Sequence, residues 1–358
     1  MDETVSFASP SGLIVYRDSR DHFQNGLLRL LQLDQPSFAT WLARADDLYK
    51  DEGAGDQAVI DALGRAYRAM RPISGPEVTV PSSVARGPGG EPGELWQACI
   101  AESPSFGVAR SSDGRVGWLV KPSSAGWIRE CEPPAYEEPY FEGDPATAGG
   151  YGDYAAQSSW RLEKARRQVG EIPWTPHSGT GLRALDIGSG YGFFRKALDE
   201  DGVAHDGLEI SAHARAMARR LYGFETFAGT LADHRHEWRD RYDLITLWDM
   251  IEHVAAPGGF LGDVASCLRP GGLVGIKTPN LDCPEAEIFG PHYHSLKREH
   301  LVYFTADGLR AAAADQGLDV VEISSISHLL AGFVGATTIA EWASSLRGAD
   351  LVAYFRRA

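Results

Sequence analysis

The sequence predicts an α/β protein, a three-layer sandwich around a mostly parallel sheet, preceded by an α+β accessory region. Three observations predict it. After about Ser158, short β-rich runs alternate with helical stretches, as when crossover helices pack on both faces of one sheet. One apolar run passes directly into Gly188-Ser189-Gly190-Tyr191-Gly192 and then into a helical stretch. Before residue 140, amphipathic helices and a hairpin signal occur without that alternation.

Residues 1–70 read as three short helices. HFQNGLLRLLQL places Phe23, Leu27, Leu30 and Leu31 on one face. A second candidate begins at Pro36, with Phe38, Trp41 and Leu42, and a third is AVIDALGRAYRAM, with Val59, Leu63, Ala66 and Met70. Such stripes suit the core of a small bundle better than a cofactor site. Residues 72–94 lose periodicity and are rich in Pro, Gly and Ser, a linker or long loop. FGVAR and RVGWLV then flank an Asp113-Gly114 turn, a hairpin signal. The stretch to about Pro145 is irregular, acidic and aromatic.

A helix over SSWRLEKARRQVGEI opens the alternating region. Strands are expected at Arg183–Ile187, Ala204–Glu209, Glu225–Phe227, Leu244–Leu247, Gly272–Thr278, Asp319–Ile323 and Leu351–Phe355. The last is expected to close the sheet from its edge, antiparallel. No internal repeat is present.

Composition bounds the function. The chain has 358 residues, a 43% hydrophobic content and a net charge of −15. That apolar content supports real cores and excludes wholesale disorder. The acidic balance disfavours nucleic acid and anionic membrane surfaces, which usually meet a basic face. MDETVSF lacks the basic and apolar regions of a secretory signal. The apolar stretch near Leu329–Ala340 is too short to span a bilayer. A soluble, cytoplasmic protein is expected. Cys99, Cys131, Cys267 and Cys283 form no CxxC pair and read as free buried thiols.

Glycines in GSGYG let the backbone turn tightly and approach a ligand closely. In open α/β sheets ligands bind outside the carboxyl ends of the strands. About 20 residues on, Glu209 ends the next strand, where a carboxylate can accept from both hydroxyls of a ribose. The loop continues Gly190-Tyr191-Gly192-Phe193-Phe194, which departs from the G-x-G-x-x-G of dinucleotide oxidoreductases.

With these residues the chain resembles the class I S-adenosylmethionine-dependent methyltransferases, over roughly Tyr140–Ile323. LDIGSGYG resembles the methionine-binding loop, AGTLADH the adenine-contacting turn, YDLITLWDMIEHV the fourth strand and its turn, and LRPGGLVGIKTPN the fifth. YFEGDPATAGGYGDY resembles the lid before the core of small-molecule members. The resemblance implies a Rossmann-like methyltransferase three-layer sandwich over residues 181–358, a lid and connecting helix over 141–180, and an accessory region over 1–140. That region is expected to recognise substrate or to make a homodimer. The implied cofactor is S-adenosylmethionine, held by Asp186, Gly188, Ser189, Gly190, Glu209, Ile210, Thr230, Leu231, Asp249 and Met250, with Tyr151 in the lid. Tyr154 and Arg161 are further candidates there.

Asp249, Glu252 and His253 have i, i+3, i+4 spacing and would share one face of a helical turn. Ubiquinone-pathway O-methyltransferases resemble this segment, as do small-RNA 2′-O-methyltransferases, which add a later histidine before an aromatic. That resemblance implies a divalent metal on Asp249, Glu252, His253 and His300, with Asp249 standing where those branches mostly have Glu. An ion there would lower the pKa of an acceptor hydroxyl. Without one, His253 or His300 would be the catalytic base, or the group is a buried hydrogen-bond network. His292 and His294 are expected on a loop facing the pocket. The expected reaction is O-methylation of a small metabolite or natural product, or of a peptide or its carboxylate. Sugar C- or N-methylation and a non-catalytic, cofactor-binding regulatory protein are the alternatives.

Overall fold

A computed structural model describes residues 6–8, 14–16, isolated positions between 36 and 44, and then 56–70, 92–97, 106–111, 114–123, 126–133, 135–143, 154–174, 181–289, 293, 295–326 and 334–358. The first helix candidate, most of the second, Cys99, Tyr151, His292 and His294 lie outside the described residues.

A short ribbon pairs β1 (Ser6–Ala8) with β2 (Ile14–Tyr16). Helix α1 (Asp56–Met70) follows the predicted amphipathic stripe and buries Ile60, Leu63 and Ala66. Strands β3 (Pro92–Gln97), β4 (Gly107–Ser111), β5 (Val116–Ser123) and β6 (Gly126–Arg129) form an antiparallel meander. Gly114 turns the predicted hairpin at φ +71°. Residues 92–94, expected in the loop, begin β3 instead, because Pro92 pairs with Ser111 across a bulge. Short helix α2 (Glu138–Glu142) precedes α3 (Ser158–Gly170).

The alternating region then runs β7 (Arg183–Ile187), α4 (Phe193–Glu200), β8 (Ala204–Glu209), α5 (Ala212–Tyr222), β9 (Phe227–Ala228), α6 (Leu231–His234), β10 (Tyr242–Trp248), a 3₁₀ turn (Ile251–His253), α7 (Pro257–Cys267) and β11 (Leu268–Pro279). After it come α8 (Pro284–Phe289), β12 (Val302–Phe304), α9 (Ala306–Ala314), β13 (Leu318–Ile326), α10 (Ala336–Ser344) and β14 (Asp350–Arg357). Six of the seven predicted strands are present where expected, and the Glu225–Phe227 candidate shares only Phe227 with β9. None of the described helices is long and apolar enough to cross a membrane.

The main sheet has the order β13-β14-β11-β10-β7-β8-β9. β11, β10, β7, β8 and β9 are parallel, while β14 runs antiparallel to β11 and β13. The last strand is therefore antiparallel as expected but inserted, with β13 at the edge. Period-2 alternation along β10 sends Leu244 and Trp248 into a core with Ala165 and Val169 of α3 and Phe194 and Leu198 of α4. Ile245 and Leu247 join the opposite core, with Leu261 of α7, Leu309 of α9 and Trp342 of α10. The strand order reverses between β7 and β10, which opens a crevice at their carboxyl ends.

The second sheet is shared between the two halves of the sequence. Its order is β12-β5-β4-β3, so a strand from beyond residue 300 pairs with the hairpin. Val302, Tyr303 and Phe304 lie opposite Trp118, Gly117 and Val116. Arg110 reinforces the joint, donating to Leu281 O at 2.8 Å and to Asp282 Oδ1 at 2.7 Å. Ile60 and Leu63 of α1 belong to the same core as β10 and β11. Cys267 and Cys283 are buried, but Cys131 is exposed on the segment after β6, which corrects the expectation of buried thiols there.

Where α9 meets the hairpin the packing is tight. Thr305 caps α9, accepting from Gly308 N at 3.1 Å, and also donates to Arg115 O at 3.0 Å. A Cβ on Gly308 would sit 2.1 Å from that same Arg115 carbonyl. Gly308→Ala must therefore push the hairpin off α9, at a cost of about 2 kcal/mol. Urea unfolding of the two proteins measures this, and an unchanged midpoint would mean that the joint yields freely.

Candidate active site

The glycine loop follows from its backbone. Gly188, Gly190 and Gly192 take φ of +71°, +50° and +84°, which L side chains rarely adopt. The space above them is occupied. A Cβ at Gly188 would lie 2.9 Å from Met250 Cγ, and one at Gly190 would lie 3.2 Å from the Tyr154 hydroxyl. Tyr154 thus covers the loop, and the Arg161 guanidinium lies 3.8 Å over its ring.

Glu209 ends β8 and is 6% exposed. Its Oε2 accepts from Gly190 N and its Oε1 from Ser211 N, both at 2.8 Å. Burial raises its pKa and these N–H groups oppose the rise. Each carboxylate oxygen retains a second lone pair, which suits a vicinal diol. Ile210 beside it is 55% exposed, an apolar surface at the crevice. Ser189 is buried, and its Oγ has no hydrogen-bond partner among the described residues. Thr230 caps α6, and Asp233 accepts from its N–H at 2.8 Å and its hydroxyl at 2.9 Å; Leu231 is buried. The glycine cradle, the orphaned hydroxyl and the buried carboxylate together fit an adenosyl group joined to an amino acid.

Asp186 lies one strand in, on β7, and accepts from Thr246 Oγ1 of β10 at 2.8 Å. Burial pushes its pKa up to about 7, against the Thr246 hydrogen bond. It is buried and ties β7 to β10 beneath the loop.

Asp249 does not share a face with Glu252 and His253. It sits at φ +52° before a 3₁₀ turn, so the predicted helical spacing does not apply. Its carboxylate pairs instead with Lys277 of β11, which also holds Asp350 at 2.6 Å, and with Lys164 of α3 at 3.8 Å. Burial works against the Lys277 charge, but the two carboxylates outweigh it and raise its pKa. Burial, together with Lys277, lowers Lys164 to about 8. Lys164 of α3 and Asp350 of β14 carry no motif around them, Lys277 lies within the fifth-strand motif without standing out in it, and only the assembled fold brings the three together. Trp248 packs behind the site, edge-on to Phe194 and Tyr354.

Glu252, His253 and His300 do converge. One ligand-capable atom from each lies within 4.8 Å of the others. The Asp249 ligand position is thus corrected, and the other three are brought together. Glu252 is 1% exposed; its Oε2 accepts from Thr278 Oγ1 at 2.9 Å, and its Oε1 has no partner among the described residues. Burial, then Asp249, pushes its pKa up to about 8. His300 Nδ1 lies 2.9 Å from the Ser295 carbonyl, which can only accept, so Nδ1 carries the proton and Nε2 the lone pair. His253 meets the Tyr136 hydroxyl at 2.9 Å through Nδ1, and burial lowers its pKa to about 4. Two imidazoles and a buried, underused carboxylate oxygen form a donor set that fits a divalent cation.

Residues 158–323 match the family model described as a methyltransferase domain. A ubiquinone biosynthesis O-methyltransferase of Aeromonas salmonicida is 33% identical over 135 residues, 34% of this chain and 56% of that protein. The enzyme of the same name from Vibrio vulnificus is 31% identical over 106 residues, 28% of this chain and 45% of that one. The chain spans about half the length of these relatives. Among solved structures, a SAM-dependent methyltransferase from Archaeoglobus fulgidus overlaps 56% of this chain and 94% of its own, at 15% identity and a TM-score of 0.42.

The buried Asp186 has a consequence for pH. Its folded pKa lies above its unfolded value, so its contribution is complete below about pH 4 and is lost as pH rises through about 7. Relative to Asp186→Asn, the cofactor-free protein should lose about 2–4 kcal/mol between pH 4 and pH 8. Urea titrations at several pH values test this. A stability difference that stays flat with pH would show that the carboxyl titrates normally.

Proposed function

We propose, with residues 158–323 as a class I S-adenosylmethionine-dependent methyltransferase domain, that the whole chain O-methylates a small metabolite or natural product. The observation that carries this is the convergence of Glu252, His253 and His300 just past β10. Met250, two residues before Glu252, lies over Gly188 of the cofactor loop. An acceptor oxygen placed at the cluster would therefore lie beside the cofactor cradle.

Gly188, Ser189, Gly190, Glu209 and Ile210 are the residues that would hold the cofactor, with Tyr154 closing over the loop. The cofactor supplies an electrophilic methyl group when bound. What remains for the chain is to align the acceptor, exclude water and remove a proton, and orientation is a large part of that task. A divalent cation on Glu252, His253 and His300 would lower the pKa of the acceptor hydroxyl. Its binding would take the proton that burial keeps on Glu252. Thr278 holds one Glu252 oxygen, which turns the other toward the histidines. The Ser295 carbonyl keeps His300 Nε2 as the acceptor nitrogen. The low basicity of His253 argues against it as a metal-free general base at neutral pH, since a base works best with a pKa near the operating pH.

In this reading the accessory region walls the acceptor side. Arg129 donates to Ala255 O, just past His253, and Tyr136 reaches His253 itself.

Glu209→Ala should weaken S-adenosylhomocysteine binding by about 2–4 kcal/mol, the loss of two hydrogen bonds to a carboxylate. Calorimetry measures it, and equal affinities would remove Glu209 from the site.

A second expectation concerns the cluster. Excess chelator should stop methyl transfer and a divalent ion should restore it, while His300→Ala lowers bound metal by about 10-fold or more and keeps cofactor affinity. Full turnover in chelator would leave the cluster as a hydrogen-bond network.

A further inference from the structure

We propose that Tyr136, contributed by the accessory region, is a positioning residue that sets which nitrogen of His253 carries the proton. This rests on the reading of Glu252, His253 and His300 as the acceptor-side centre.

Contacts on several sides hold Tyr136 in place. Its segment leaves β6 at Arg129, whose guanidinium lies 3.5 Å over the Trp118 ring and whose Nη2 donates to Ala255 O. Tyr136 then packs edge-on against Tyr140, with centroids 4.9 Å apart, and edge-on against His253, at 5.7 Å. Its hydroxyl lies 2.9 Å from His253 Nδ1. Burial, with Glu299 and Glu252 adding to it, raises the Tyr136 pKa, so the group is a phenol and not a phenolate.

A phenol can donate to Nδ1 or accept from Nδ1–H, whereas most groups do only one. A neutral imidazole has a single N–H. When Nε2 carries it, Nδ1 accepts from the Tyr136 hydroxyl and the ring has no lone pair to offer the cluster. When the proton moves to Nδ1, Tyr136 accepts it and Nε2 gains the lone pair that a cation requires. Tyr136 satisfies Nδ1 in both forms. Without the hydroxyl, a buried Nδ1–H would have no partner at that position, a costly arrangement. His253 would then stay in the form that cannot serve as a ligand.

Tyr136→Phe keeps the ring packing and removes only the hydroxyl. With ¹⁵N-histidine labelling, the metal-free wild type and variant are compared first. The His253 Nδ1 resonance should move, because it loses its hydrogen bond. Zn²⁺ alone is then titrated into both, and the variant should bind it about 10- to 100-fold more weakly. S-adenosylhomocysteine affinity should be unchanged in the variant. An unmoved Nδ1 resonance, or Zn²⁺ affinity within twofold of wild type, overturns the proposal. A moved resonance in a wild type that binds no Zn²⁺ supports the role of Tyr136 and removes only the cation from the functional reading.

Discussion

Two consecutive backbone hydrogen bonds hold the surroundings of Glu252, His253 and His300 together. Leu119 of β5 donates to Leu301 O at 3.1 Å, and Leu301 donates to Glu252 O at 2.7 Å. The first bond belongs to the second sheet and the second reaches the 3₁₀ turn after β10. Through Leu301 the hairpin, the segment carrying His300 and the turn carrying Glu252 and His253 share one frame. The three side chains come from two distant stretches of sequence, and their convergence within 4.8 Å depends on that frame. Backbone bonds suit the task, because their geometry survives rotamer changes at the site.

The cofactor side is fixed by a different means. Buried charges there are satisfied from neighbouring elements: Lys277 of β11 pairs with Asp249 and Asp350, and Glu209 accepts from the backbone N–H groups of Gly190 and Ser211. Removing one partner from such a group leaves a buried charge uncompensated, which costs far more than the net worth of the pair. These groups therefore constrain where the carboxyl ends of β8, β10 and β11 and the amino end of β14 lie relative to one another. The left-handed conformation of Asp249, unusual for a residue with a side chain, persists because Lys277 holds its carboxylate.

Much of this was legible in the sequence, for identifiable reasons. The strands of the main sheet are short apolar runs bounded by Gly and polar turns, so period and punctuation locate them. The glycine loop and Glu209 are local signals, separated by one helix. Resemblance points to Asp249, Glu252, His253 and His300 alike; Asp249 departs from the other three because its positive φ and the 3₁₀ turn after it break the helical spacing. Lys164, Lys277 and Asp350 were missed because each is an ordinary charged residue until the sheet order makes them neighbours. Tyr136 was hidden in an irregular acidic stretch with no periodicity to place it. The sharing of β12 was illegible too: VYF is three residues long, and nothing local says that it pairs with Trp118.

That shared strand bears on how the chain reaches its native state. Val116–Trp118 of β5 find their partners only when Val302–Phe304 have been made. At about 5–20 residues per second, a ribosome needs on the order of 10–40 s to cover that distance. Throughout that interval Val116–Trp118 are an unpaired stretch of edge, since β6 covers β5 only over Val120–Ser123, and an open edge is the usual template for intermolecular strand addition. Long-range pairing of this kind also slows folding, because loop closure must precede the contacts that reward it. The same joint that aligns Glu252, His253 and His300 thus leaves a strand edge of the newborn chain open until residue 304 has been made.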